Sequence, residues 1–355
     1  MQSQITHYNN LIVGQGLAGS LLAWRLMQAG QSVLVIDNDN PCAASRVAAG
    51  LINPVTGKRL VKDPMVESYL AAARECYAEL GEQFDQVYLR EKPMLRLFDN
   101  DEIKQIWLKR RAEPGYQHFI GEELSPAECG YPQGGFLQHQ TAYLSVTLLL
   151  NALRQWLIDR SSMMTTEFDY RELNLSEVVR WHELSADRLI FCEGAHVSQN
   201  PWFNTLPMQP AKGEILTGHS KDRLPQWIIN GGQWLLPLDE GLFKLGATYT
   251  WPTDDKPLVE EISEDGKSTL LNALRRLCPT LHDYEIISHD VGIRPNSRDK
   301  RPYIGFHPKH PCLAVFNGFG SRGSLLIPYY ARHFVDVLLN NASLEPDVDI
   351  KRVLV

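Results

Sequence analysis

The chain has no run of 18 apolar residues, so none of its helices is expected to span a membrane. Its first ten residues lack the basic-then-apolar pattern of a secretory signal. No basic run exceeds three residues and the net charge is −7, which argues against a nucleic-acid backbone as the main ligand. A local cluster of Arg298, Lys300 and Arg301 can still meet a phosphate. The six cysteines (Cys42, Cys76, Cys129, Cys192, Cys278 and Cys312) form no CxxC pair. Thiols so far apart in a chain of 355 residues read as reduced and mostly buried, and a cytoplasmic location is expected. Internal repeats and low-complexity tracts are lacking too. His289 beside Asp290 and His307 near His310 are a poor metal spacing, and no Ser-His-Asp arrangement is legible.

What is present reads as an ordinary globular protein, with 44% apolar and 22% charged residues and enough length for two domains. Residues 10–13 are a short apolar run ending at a glycine, as a buried parallel strand does. Residues 17–29 read as a helix with Leu21, Leu22 and Leu26 inward, stopped by Gly30. Residues 33–36 are a second buried strand ending at Asp37, which completes a βαβ opening. Further on, helices are expected over 66–80, 142–157 and 324–339, and buried strands over 189–192 and 312–316. Shorter strands are expected at 86–89 and 94–98. From 207 to 287 short turns such as Asp239-Glu240-Gly241 separate strand-like runs, among them 233–236 and 242–248, in the manner of an antiparallel sheet.

Between the first strand and helix lies Gly14-x-Gly16-x-x-Gly19. Gly14 permits a tight turn, Gly16 a close approach of backbone to a diphosphate, and Gly19 close packing of helix on strand. Leu17 and Ala18 open the helix, whose N-terminus offers free N–H groups and partial positive charge. Asp37, 23 residues after Gly14, can accept hydrogen bonds from ribose hydroxyls. The pattern indicates a dinucleotide without choosing between FAD and NAD(P).

Downstream segments bear on that choice. After Asp37 comes the small-residue run Ala43-Ala44-Ser45-Arg46-Val47-Ala48-Ala49-Gly50-Leu51-Ile52-Asn53-Pro54. Then follow Pro210-Ala211-Lys212-Gly213-Glu214, Leu245-Gly246-Ala247-Thr248, and Gly292-Ile293-Arg294-Pro295 with Asp299, Pro302, Ile304 and Gly305. Last comes Asn317-Gly318-Phe319-Gly320-Ser321-Arg322-Gly323 with Pro328. Taken in this order, from about residue 10 to residue 340, the chain resembles the D-amino-acid oxidase/glycine oxidase family of FAD-dependent enzymes. Its Gly-Phe-Gly-Ser-Arg-Gly run is most similar to the oxidase domain of the bacterial enzyme that demodifies carboxymethylaminomethyluridine in tRNA, whose companion methylase domain finds no counterpart here.

The resemblance implies an α/β fold: a Rossmann-like FAD domain, discontinuous over 1–82, 140–203 and 286–355, and a mixed or antiparallel-sheet substrate domain over 83–139 and 204–285. It implies that Gly14, Gly16, Leu17, Ala18, Gly19 and Asp37 hold the ADP half of FAD. Ser45, Arg46, Ala48, Ala49 and Gly50 would line the diphosphate and flavin, with Gly194 near the adenosine. Gly320, Ser321, Arg322 and Gly323 would meet the pyrimidine edge of the flavin, where a helix N-terminus favours the negative charge of the reduced ring. Arg294 would grip the substrate carboxylate, as a guanidinium does bidentately. Two departures stand out: glycine oxidases have an arginine where this chain has Ser321, and a small residue is usual at Arg46. Tyr249 and Trp251 are candidates for the substrate pocket, core packing being the plainer reading. The implied reaction is oxidation of the C–N bond of a small amine or amino acid, with oxygen or another acceptor taking the electrons. A carboxymethylamino group on a modified nucleoside and an NAD(P)-dependent dehydrogenation are the alternatives.

Overall fold

Strand Thr6–Val13 runs up the middle of a mostly parallel sheet, between Val33–Asp37 on one side and Leu184–Phe191 on the other. Its register pairs Val13 with both Ile36 and Phe191, so the three strands end together. Met163–Thr165 extends this sheet beyond Val33–Asp37, and Leu313–Asn317 extends it beyond Leu184–Phe191, both in parallel. All but Met163–Thr165, which no apolar run announced, are strands expected from short apolar runs, and both faces of the sheet are covered. On one face pack helices Leu17–Gln28, Val66–Phe84, Val146–Ile158 and Gly323–Asn340. On the other lie Phe168, Trp181, Phe203 and Leu206. This computed structural model describes residues 5–175, 178–253 and 257–354; the outermost ends of the expected FAD domain, 1–4 and 355, lie outside them.

A second eight-stranded sheet begins with Tyr284–Arg294 beside Ala211–Ser220 and continues through Leu242–Gly246, Gln233–Pro237 and Ile228–Gly231 to Met94–Leu97, Gly135–Gln138 and Ile120–Leu124. All its pairings are antiparallel except that of Ile228–Gly231 with Met94–Leu97. Helix Glu264–Leu277 covers one face. Its first turn is anchored to the sheet by Glu214, which is buried, accepts from Ser263 Oγ at 2.7 Å and pairs with Lys212 at 3.1 Å. The fold is thus α/β, with a mixed second sheet. The domain boundary expected at 286 falls inside strand Tyr284–Arg294, which belongs wholly to the second sheet and carries Arg294 at its end.

Local differences from the sequence reading have local causes. The helix expected over 142–157 starts only at Val146, because Ala142–Leu144 pairs with Leu51–Ile52 and Leu89–Glu91 in a small three-stranded sheet. The helix expected over 66–80 runs through Gly81 to Phe84 and ends on left-handed Asp85, whose φ is 49°. Residues 86–88 accordingly lead out of that helix, and the strand there begins at Leu89.

Candidate active site

The strand ends of the first sheet and the near face of the second enclose a cavity of about 350 Å³. The first sheet and its loops contribute Asp37, Glu193 and Tyr170 to its wall; the second sheet contributes Trp234, Ile215 and Arg294. Such a chamber between two layers is where an open α/β sheet with a topological switch point binds its ligand.

Gly14 turns the chain out of the first strand with φ 104°, and its N–H donates to Ile36 O at 2.8 Å. A Cβ there would meet Cys192 O at 2.6 Å, and a Cβ on Gly19 would sit 1.9 Å from Gly14 O. Both glycines are therefore required by contact of loop, helix and neighbouring strand. The helix that follows starts at Gly16, has no side-chain cap and carries no acid in its first turn. Its Leu17 N–H is met by Ser45 Oγ at 3.0 Å, which ties the small-residue loop to the helix start. The last helix, Gly323–Asn340, likewise lacks a side-chain cap and a first-turn acid, and its Gly323 and Ser324 line the same cavity. Two helix N-termini without an acid in the first turn thus face one chamber, an arrangement suited to a ligand negative at two separated places.

Fourteen of the 17 residues expected at the site line the cavity: Gly14, Gly16, Leu17, Ala18, Asp37, Ser45, Ala48, Ala49, Gly50, Gly194, Arg294, Gly320, Ser321 and Gly323. Three do not. Gly19 lies beneath the loop as a packing residue. Arg46 turns outward to Asp39 at 2.5 Å. Arg322 turns toward Asp63 at 3.5 Å, so its side chain leaves the loop to its neighbours.

Several residues that the sequence reading missed complete the wall or support it. Asp37 accepts from Gln15 N at 2.7 Å and is approached by Arg154 at 3.5 Å, which also lies 3.5 Å from Asp39. Arg154 comes from helix Val146–Ile158, more than 100 residues along the chain, and no local pattern announces it. Thr166, Phe168 and Tyr170 come from a stretch of little periodicity after Met163–Thr165. Glu193 is legible only as the residue before Gly194. Its carboxyl accepts from Tyr170 Oη and from Asn200 Nδ2, the latter at 2.8 Å. Burial pushes its pKa up to about 7 against the opposing pull of those two donors.

At the far end Arg294 has no carboxylate partner among the described residues. It donates to the carbonyls of Thr248 at 3.3 Å and Lys212 at 3.5 Å, and its Cζ sits 4.8 Å from the ring centre of Tyr249. Burial lowers its pKa below the ordinary arginine value. It nests against Gly213, where a Cβ would come within 2.2 Å of the guanidinium. Tyr249 and Trp251 are not core residues: they are 50% and 45% exposed.

The family model described as FAD dependent oxidoreductase matches residues 10–337. The chain belongs to this family. Its cofactor is therefore FAD, and the NAD(P) alternative falls away. Glycine oxidase of Pseudomonas aeruginosa is 26% identical over 365 residues, covering 96% of this chain and 96% of that protein. The tRNA 5-methylaminomethyl-2-thiouridine biosynthesis bifunctional protein MnmC of Legionella pneumophila is 23% identical over 95% of this chain, which spans 55% of that longer protein. Iminodiacetate oxidase from Chelativorans sp. BNC1 shares the fold, with TM-score 0.79, 23% identity and 97% and 98% of the two chains covered. In this FAD-dependent oxidoreductase, the paired helix ends and the glycine cradle at Gly14 fit a dinucleotide of that length and charge.

Proposed function

We propose that the protein oxidises the C–N bond of a small amine or amino acid that bears a carboxylate. The observation that carries this reading is Arg294, a half-buried guanidinium on the cavity wall with carbonyl and aromatic neighbours but no acid. Removing an ionised group from water without a counter-ion is costly, and a substrate carboxylate would complete the site. The glycine oxidase and iminodiacetate oxidase among its relatives act on substrates of this kind by their names, which supports the reading.

In this scheme the first sheet holds the cofactor and the second presents the substrate. Gly14, Gly16, Leu17 and Ala18 would offer their backbone to the diphosphate, and Asp37, held by Gln15 N and Arg154, would accept from the ribose. Ser45, Ala48, Ala49 and Gly50 would hold the flavin together with Gly320, Ser321 and Gly323 at the last helix's N-terminus, which would favour its negative reduced form. The bound FAD supplies the two-electron oxidising chemistry. Arg294, steadied by Thr248 O and Lys212 O, fixes the carboxylate and thereby the direction of the Cα–H bond. Trp234, Ile215 and Ile327 keep water from the reacting bond. Positioning and an electropositive helix end are the chain's main contributions, so a dedicated acid–base dyad is not required. A cytoplasmic location belongs to this reading, on the ground of six thiols that are all unpaired.

Mixing the yellow protein anaerobically with glycine, sarcosine and D- and L-amino acids tests the proposal: a substrate bleaches the flavin bands. Retention of full colour with every carboxylate-bearing amine would overturn it. Readmitting air and assaying hydrogen peroxide then tells oxygen from another acceptor.

A further inference from the structure

The segment after strand Leu242–Gly246 is pinned by a reciprocal pair of hydrogen bonds, Lys212 N to Thr250 O at 2.9 Å and Thr250 N to Lys212 O at 3.0 Å. Thr250 thus lies opposite Lys212, which in turn lies opposite Ile293. Side chains alternate along extended backbone, so Tyr249 and Trp251 fall on the other face, together with Gly213 and Arg294. That is the face that closes the cavity. The two rings touch, with centroids 4.9 Å apart, and about half of each is open to solvent.

Large aromatics are seldom left this exposed in contact with each other, and Tyr249 is also held in place. Asn296 Nδ2 donates to Tyr249 Oη at 2.9 Å, and the Arg294 guanidinium lies across the Tyr249 ring. Asn296 itself is bridged to Phe319, beside the Gly320–Arg322 turn. The result is an aromatic ledge anchored through Tyr249, in contact with Arg294 and tied to the loop expected at the flavin. Glycine or sarcosine bound at Arg294 has no group with which to use such a ledge. A stack on it needs less ordering, because Tyr249 is already anchored and Trp251 rests against it.

We infer that Tyr249 and Trp251 form a stacking platform for a planar ring, and that the substrate is a ring-bearing amino acid or N-substituted amino acid rather than glycine. This rests on the carboxylate role of Arg294. The ring stacks on the ledge while the carboxylate pairs with Arg294, which places the amine on the cavity side of both. Stacking of a planar ring on an aromatic side chain corresponds to roughly a tenfold gain in affinity or more.

Two pairs of compounds test the inference on the FAD-loaded protein. N-benzoylglycine and N-acetylglycine cannot be oxidised as amines, and their dissociation constants are read by calorimetry. N-benzylglycine is compared with sarcosine in binding and in reduction of the flavin, which reads a ring on nitrogen. The expected result is that the ring-bearing member of each pair binds about tenfold more tightly or better. Trp251→Ala should shrink that ratio to about twofold and Trp251→Phe should restore most of it. Equal affinity within both pairs, or a ring preference that survives Trp251→Ala, would overturn the platform. If no amine bleaches the flavin, the C–N oxidation reading fails instead, and the calorimetric pair still decides the ledge.

Discussion

Glu193 makes the protein's stability depend on pH in a direction opposite to that of most carboxylates. Its carboxyl is enclosed by Tyr170 and Asn200, with only the cavity side open, and burial lifts its pKa from the ordinary 4.5 to about 7. The folded state therefore holds this proton between about pH 4.5 and pH 7 while the unfolded chain has released it. With more protons bound when folded, stability falls as pH rises through that window. The full effect corresponds to about 3 kcal/mol, an upper figure because water in the open cavity screens part of it. Glu193→Gln imitates the protonated form at every pH. At about 2 °C per kcal/mol for a chain of this size, its Tm should pull ahead of the parent's by about 5 °C between pH 5 and pH 8, measured on protein stripped of FAD. Below pH 5 the two curves should run together. Parallel curves across the whole range, or a parent that gains on the variant as pH rises, would refute the reasoning.

Three further substitutions probe separate parts of the site. Gly19→Ala drives a methyl group into Gly14 O and should cost about 1–3 kcal/mol of stability with a matching loss of FAD affinity, read by flavin fluorescence. Arg154→Ala removes the cation beside Asp37, while Asp39 keeps Arg46, and should weaken FAD binding by about fivefold with little change in thermal stability. Gly213→Ala meets only the movable end of Arg294, so Tm and FAD affinity should hold while KM for the carboxylate substrate rises about tenfold or more.

The residues that stood out in the sequence are those whose role is local. The turn at Gly14, the helix from Leu17 and the acid at Asp37 form one contiguous unit, and the strand period and the glycine spacing encode it directly. Ser45 to Gly50 were legible by their smallness, which the chamber requires of backbone running alongside an extended ligand. Tyr170 and Glu193 were not legible as wall residues, because each reaches the cavity only once parallel strands far apart in sequence are side by side, and Arg154 meets Asp37 only once its helix packs on that sheet. Arg46 and Arg322 show the converse: a charged residue within a site motif turns away when an acid, Asp39 in the same loop or Asp63 far along the chain, offers it a partner. Tyr249 and Trp251 read as core by hydrophobicity alone, and only the pairing of Thr250 with Lys212 shows that they stand at an open edge.

The central claim is that Arg294 recognises a carboxylate on an amine whose C–N bond is oxidised. Its most direct test compares kcat/KM for a carboxylate-bearing amine and for the same amine without the carboxylate, in the parent and in Arg294→Ala. Loss of a partly buried charge-assisted pair predicts that the parent's preference for the carboxylate, about a hundredfold, disappears in the variant while the flavin spectrum and FAD affinity are retained. An undiminished preference in Arg294→Ala would contradict the account.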